Sequence, residues 1–175
     1  FLESSPPMIK LDGPSHPPLN NEKPEQLVVF LHGYGSNGDD LIGLAPYLAP
    51  ALPEAEFLSP NAPYPCEINP FGGYQWFGLE ERSAANRLKG VRDAGPILDA
   101  YLDEQLQARG LTEADLALVG FSQGTMMALH VGLRRANPLA GIVGYSGMLV
   151  APELLAGEIK SKPPVLLVHG MADEV

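Results

Sequence analysis

Leu116-Ala117-Leu118-Val119-Gly120-Phe121-Ser122-Gln123-Gly124-Thr125-Met126-Met127-Ala128-Leu129 is the stretch on which the fold turns. It passes from an apolar, strand-like run into an apolar-faced helical one, with a single serine at the corner. The pattern Gly-x-Ser-x-Gly is weak alone and becomes specific only in that strand–turn–helix setting. Its glycines have a steric reason. A corner that holds Ser122 in a strained backbone state leaves no room for side chains two residues either side, which is where Gly120 and Gly124 fall. Ser122 Oγ then stands clear of the sheet at the positive N-terminal end of a helix, where negative charge is stabilised. The plainer alternative is a corner that happens to carry a serine.

Similar runs lie on both sides of this corner. Leu27-Val28-Val29-Phe30-Leu31 has the continuous, β-branched character of a strand buried on both faces of a parallel sheet. It ends in the glycine-rich loop His32-Gly33-Tyr34-Gly35-Ser36-Asn37-Gly38-Asp39-Asp40, and Asp39 or Asp40 is placed to cap a helix over Leu41 to Leu48. Ala55 to Ser59, Leu139 to Gly144 and Val165 to Val168 read as further strands. Ala84 to Arg109 has helical spacing, with Pro96 expected to kink or split it and Gly110 to close it. The elbow helix should end near Arg135, before Asn137-Pro138. Strands alternating with helices predict an α/β protein with a doubly wound, mostly parallel sheet.

The flanks are less regular. Residues 1 to 26 are proline-rich, with Met8 to Leu11 as a candidate edge strand and His16 read as a solvated loop residue. Residues 60 to 82 read as a long loop carrying Tyr64, Phe71, Tyr74, Trp76 and Phe77. That many aromatics suits a pocket wall or lid, or else a flap packed on the core.

At 175 residues the chain fits one domain, able to bury about 70% of its unfolded surface. A formal net charge of −10 repels phosphate backbones, and no Lys/Arg cluster offsets it, so nucleic acid is excluded as a partner. No apolar run approaches the ~20 residues of a membrane span. Cys66 is the single cysteine, which excludes an internal disulfide and a paired Cys/His zinc site and fits a reducing, cytoplasmic setting. The chain starts Phe1-Leu2-Glu3 with no visible leader, and both ends are expected to be cut.

A serine nucleophile needs a base, a group to orient that base, and donors for the oxyanion. The N–H of Gln123, directly after Ser122, is the natural first donor, and the N–H of Tyr34 in the glycine-rich loop the second, with His32 and Gly33 shaping that loop. Asp173, just past the late strand, is in the right place for the orienting acid; Asp99 and Asp115 read as structural. The base is the difficulty. His130 lies about 12 Å along the elbow helix at 1.5 Å per residue and reads as a core residue. His169 ends a strand two positions from the elbow strand, about 10 Å away. His32 sits in the oxyanion loop. The expected histidine should follow Asp173, where only Glu174 and Val175 remain. Ser146, in Gly144-Tyr145-Ser146-Gly147, lacks the second glycine and an immediate helix, so it reads as a loop serine.

Four motifs in order, Leu31-His32-Gly33-Tyr34-Gly35-Ser36-Asn37-Gly38-Asp39-Asp40-Leu41, Tyr74-Gln75-Trp76-Phe77, Gly120-Phe121-Ser122-Gln123-Gly124 and His169-Gly170-Met171-Ala172-Asp173, resemble the phospholipase/carboxylesterase family of α/β-hydrolases. That family includes acyl-protein thioesterases and small bacterial carboxylesterases. The resemblance implies Ser122 as nucleophile, Asp173 as acid, and Tyr34 and Gln123 as oxyanion donors. It implies a substrate-binding role for His32, Gly33, Tyr74, Trp76 and Phe77, with the Trp76-Phe77 segment lining an acyl pocket. It also implies hydrolysis of small-molecule carboxylic esters or thioesters through an acyl-enzyme, with no metal and no cofactor. Family members continue through another helix and strand to the catalytic histidine, and this sequence stops before them.

Two functions compete on these grounds: a cytoplasmic serine ester hydrolase acting on apolar acyl groups, and a non-catalytic binding module that keeps the pocket without the base. A missing last strand would also leave an apolar sheet edge exposed, which predicts poor solubility or a homo-oligomer.

Overall fold

The computed structural model describes residues 7–174. Its centre is a six-stranded sheet in which β1 (Ser15–His16), β2 (Gln26–Leu31), β3 (Ala55–Leu58), β6 (Leu116–Phe121), β7 (Gly141–Tyr145) and β8 (Val165–Val168) lie in the order β1-β3-β2-β6-β7-β8. All neighbours are parallel except β1, which runs antiparallel along β3. Between β3 and β6 in the chain, β4 (Tyr64–Cys66) and β5 (Asn69–Gln75) form a separate antiparallel hairpin.

The unbroken apolar run of β2 has the cause expected of it. Leu27, Val29 and Leu31 join one core with Leu116 and Leu118, while Val28 and Phe30 join Phe57, Ala45 and Ala49 on the opposite face. Both faces are dry, so neither can carry polar side chains. Two long elements cover the first face: α3 (Ala84–Arg109) and α4 (Gln123–Gly132), which pack against each other. The second face is covered by α1 (Gly38–Ile42) and α2 (Ala45–Leu48). A last helix, α5 (Pro152–Glu158), precedes β8.

Several boundaries differ from the sequence reading. Pro96 does not split α3; it lies on the solvent face, where water can satisfy the carbonyl its ring leaves without a donor. Gly110 closes that helix as expected, left-handed at φ 66°. The helix expected over Leu41 to Leu48 starts earlier and breaks between α1 and α2. Its cap is Asn37, whose side chain accepts from the Asp40 N–H at 2.9 Å, rather than either aspartate. The edge strand forms at Ser15–His16 rather than Met8 to Leu11, and His16 packs edge-on against Phe57.

The stretch from 60 to 82 is not a structureless loop. It contains the β4–β5 hairpin, which pairs Tyr64 with Gln75 and leaves Ile68 and Phe71 exposed. The two sheet edges also differ. At one edge the two-residue β1 covers the outer side of β3, whereas at the other Val165, Leu166, Leu167 and Val168 of β8 are all exposed among the described residues.

Candidate active site

The corner between β6 and α4 holds Ser122 at φ 53° and ψ −111°, a conformation that an L residue adopts only when its surroundings impose it. The packing that imposes it can be named. A Cβ on Gly124 would lie 1.9 Å from the Leu31 carbonyl oxygen, and one on Gly120 would lie 2.6 Å from the Thr125 backbone nitrogen. The helix start is therefore pressed against the end of β2 and against its own strand. The Ser122 N–H donates to the Tyr145 carbonyl at 2.8 Å, and the Thr125 hydroxyl donates to the same oxygen at 2.9 Å. Two bonds from one corner to β7 hold the serine in place.

The loop after β2 reaches this corner from the other side. Gly33 passes so close that a Cβ there would sit 3.4 Å from the Ser122 Cβ. The next residue, Tyr34, has an N–H that takes part in none of the hydrogen bonds among the described residues. The N–H of Gln123 opens α4 and has no acceptor within the helix. Tyr34 shares a cleft with Ser122, and its hydroxyl donates to Glu67 at 2.6 Å. Partial burial and that bond raise the phenol above its ordinary pKa, so it stays a donor.

His32 is fully enclosed. The Ala62 N–H donates to its Nε2 at 2.9 Å, which leaves Nδ1 as the protonated nitrogen, donating to the Gly33 carbonyl at 2.7 Å. Burial holds its pKa below the usual histidine value, and both nitrogens are committed. It shapes the loop, as expected, and has no free lone pair with which to act as a base.

Trp76 and Phe77, expected to line an acyl pocket, lie beneath the loop in this structure. Both are buried, and neither faces the cleft. Trp76 Nε1 donates to the His32 carbonyl at 2.9 Å, and the Phe77 ring packs where a Cβ on Gly90 of α3 would fall. Their size suits the core beneath the loop better than a pocket wall, because each buries a large apolar area. Tyr74 is half-buried and braces the loop through its backbone: its N–H donates to the Ser36 carbonyl at 2.8 Å, and its carbonyl accepts from the Gly35 N–H at 2.9 Å.

Gln123 has a second part that the sequence did not suggest. Its side chain is buried, accepts from the Trp76 N–H at 2.8 Å and donates to the Phe77 carbonyl at 2.9 Å. The residue after the serine thus clamps the segment that follows β5. The signal available in sequence was a polar residue at the first position of an apolar helix, which implies a partner without naming it.

The cleft has a volume of about 540 Å³ and is lined by Tyr34, Leu79, Arg82, Arg87, Ser122, Met126, Met148 and Glu174. Met126 lies four residues after Ser122, one helical turn along the same face of α4, a spacing that could have marked it in advance. Asp173 lies beyond the C-terminal end of β8, in a turn closed by its N–H donating to the Gly170 carbonyl at 3.0 Å. Its neighbour Glu174 faces the Ser122 cleft.

No histidine among the described residues bonds to Ser122. His169 stands two strands from β6 and donates from Nε2 to the Asp173 carbonyl at 3.1 Å. His130 is buried on α4, with its pKa lowered to about 4 by desolvation and by the nearby Arg134 charge. The position past Val175 where the base was expected lies outside the described residues. Among those residues, no group of three or more His, Cys, Asp or Glu side chains could hold a metal ion, and no helix is long and apolar enough to cross a membrane.

The model of the phospholipase/carboxylesterase family matches residues 19–175. Acyl-protein thioesterase 1 of Yarrowia lipolytica is 31% identical over 159 residues, covering 85% of this chain and 69% of that protein. Among solved structures, esterase PE8 superposes with a TM-score of 0.88 at 51% identity, covering 93% of this chain and 75% of that one. Acyl-protein thioesterase 2 of Zea mays gives a TM-score of 0.65 at 29% identity, over 94% and 78% of the two chains.

Proposed function

The chain belongs to the phospholipase/carboxylesterase family and has the α/β-hydrolase fold, and from that premise we propose that it hydrolyses carboxylic esters or thioesters through an acyl-enzyme on Ser122. The observation that carries the reading is the strained backbone of Ser122 at the head of α4, inside a cleft that Tyr34 also lines. Strain of this kind costs on the order of 1–3 kcal/mol and persists where the surroundings over-determine it, commonly at sites of chemistry.

In the proposed reaction Ser122 Oγ attacks the acyl carbon while its proton passes to a histidine base. The resulting oxyanion accepts from the N–H groups of Tyr34 and Gln123. The base returns the proton to the departing alcohol or thiol, and water then cleaves the acyl-enzyme by the same steps. Asp173 is assigned the orienting carboxylate, and the base is assigned to the segment after it. Esters and thioesters share this machinery, and Leu79, Met126 and Met148 favour an apolar acyl portion. A cytoplasmic location goes with the reading, since the single cysteine is a free, buried thiol.

A second reading, a binding module without turnover, draws on the absence of a histidine bonded to Ser122 among the described residues. One experiment separates the two. A fluorophosphonate should label the intact protein at Ser122 and abolish ester hydrolysis. A folded protein that resists labelling and turns over no ester would be a binding module.

A further inference from the structure

The chain has six arginines: Arg82, Arg87, Arg92, Arg109, Arg134 and Arg135. Four of them are ion-paired: Arg92 and Arg134 with Glu158, Arg109 with Glu56, and Arg135 with Asp99, Asp103 and Glu113. The remaining two, Arg82 and Arg87, form no ion pair among the described residues, and both line the cleft that holds Ser122. In a chain with 21 acidic residues, unpaired guanidinium groups gathered at one cleft run against the composition.

The two side chains also have local support. Arg87 Nη1 donates to the Arg82 carbonyl at 2.9 Å, so the helix-borne arginine braces the loop that carries the other. Asn86 donates to the Gly78 and Glu81 carbonyls at 2.9 and 2.6 Å, tying the same loop to the start of α3. The first turn of α3 has no acidic side chain to consume its positive end. Glu174 is the one carboxylate that lines the cleft among the described residues, against the two guanidinium groups, while Glu67 is engaged by the Tyr34 hydroxyl.

We propose that the substrate of the Ser122 cleft carries a carboxylate, held by Arg82 and Arg87 while its apolar part lies on Leu79, Met126 and Met148. Two guanidinium groups with no acid of their own offer donors to an anion, and a guanidinium fork matches a carboxylate in geometry. This deepens the serine-hydrolase reading and rests on it.

The test compares two esters in the intact protein: mono(4-nitrophenyl) adipate and 4-nitrophenyl hexanoate, which differ in a terminal carboxylate. The ratio of their kcat/KM values should favour the adipate by about tenfold, through KM, and should fall as salt rises, since Arg82 is exposed. R82Q and R87Q should each lower the ratio, and the R82K and R87K variants should keep most of it. A ratio at or below one in the parent protein, or one unchanged in the R82Q/R87Q double variant, would overturn the proposal. If neither ester is turned over, the hydrolase reading has failed instead. Titration calorimetry with adipate then decides for the arginines: binding abolished by the double variant supports the carboxylate site, and no binding refutes it.

Discussion

Ser122 and Ser146 sit at the ends of neighbouring strands in matching register, Gly120 opposite Gly144 and Phe121 opposite Tyr145. Their backbones are alike as well, with φ of 53° and 49°, and each N–H donates to the next strand, at 2.8 Å to Tyr145 and 2.9 Å to Val168. The rings of Phe121 and Tyr145 stack at 4.9 Å between them. The two serines part company in the chain immediately downstream. α4 begins at the residue after Ser122 and aims its N-terminus at the corner, whereas after Ser146 the chain runs irregularly through Gly147 to Ala151 before α5 begins at Pro152. On the proposed reading, a left-handed serine at a strand end is not enough to make a nucleophile. The helix supplies the free amide and the electrostatic field, and the clamp from Gln123 supplies rigidity.

The sharpest way to break this comparison is to remove each hydroxyl in turn. S122A should lower kcat/KM on a 4-nitrophenyl ester by at least about a thousandfold, and S146A should stay within a few-fold of the parent. Equal losses would make the contrast between the two corners meaningless.

The next effect is on folding. G124A pushes a methyl into the Leu31 carbonyl, and because that oxygen belongs to a central strand it cannot yield; we expect a loss of about 3 kcal/mol or more in urea unfolding. G141A in β7 has its nearest neighbour at 3.7 Å and should cost less than about 1 kcal/mol. Similar midpoints for the two would show that α4 is not pressed against β2.

Q123A removes the clamp and leaves the Trp76 N–H and Phe77 carbonyl buried without partners. The cost should be about 2 kcal/mol of stability, with a fall in activity beyond what lost stability explains. Q123E is expected to restore neither, since its carboxylate cannot donate to the Phe77 carbonyl.

A further effect is acid sensitivity. His130 on α4 has a folded pKa of about 4 against an ordinary 6.5, so below pH 6.5 the unfolded chain binds more protons than the folded one. Stability should therefore be fully present above pH 6.5 and decline as pH falls toward 4. H130L should flatten that decline, with the remaining slope owed in part to His32, whose pKa is also depressed. An unchanged slope would rule out His130 as its source.

Much of the fold was legible because the rules that encode it are short-ranged. Continuous apolar runs marked β2, β6, β7 and β8, and helical spacing with a terminal glycine marked α3. The failures have equally physical causes. Pro96 suggested a break, but its position on the solvent face could be known only once α3 had packed. The β4–β5 hairpin was hidden by Pro65, Pro70 and the Gly72-Gly73 pair, which read as turn residues. The burial of Trp76 and Phe77 could not be read in advance, because exposed and buried aromatics have the same composition.

At the site, the division tracks the distance between partners in the chain. Gly120, Ser122 and Gly124 act on one another within a single turn, so steric rules alone identified the corner and its strain. The amide of Gln123 and the loop at Gly33 and Tyr34 were equally readable, because strand–loop–helix order dictates them. The rest depended on segments that meet only after folding: Ala62 with His32 across 30 residues, and Gln123 with Trp76 across 47. The pairing state of Arg82 and Arg87 is of the same kind, since each arginine found or failed to find an acid according to how α3, α4 and their loops came together. Local sterics and periodicity determined where a reactive serine could stand; only long-range packing decided what surrounds it, because a side chain's partner is set by the fold and not by its neighbours in sequence.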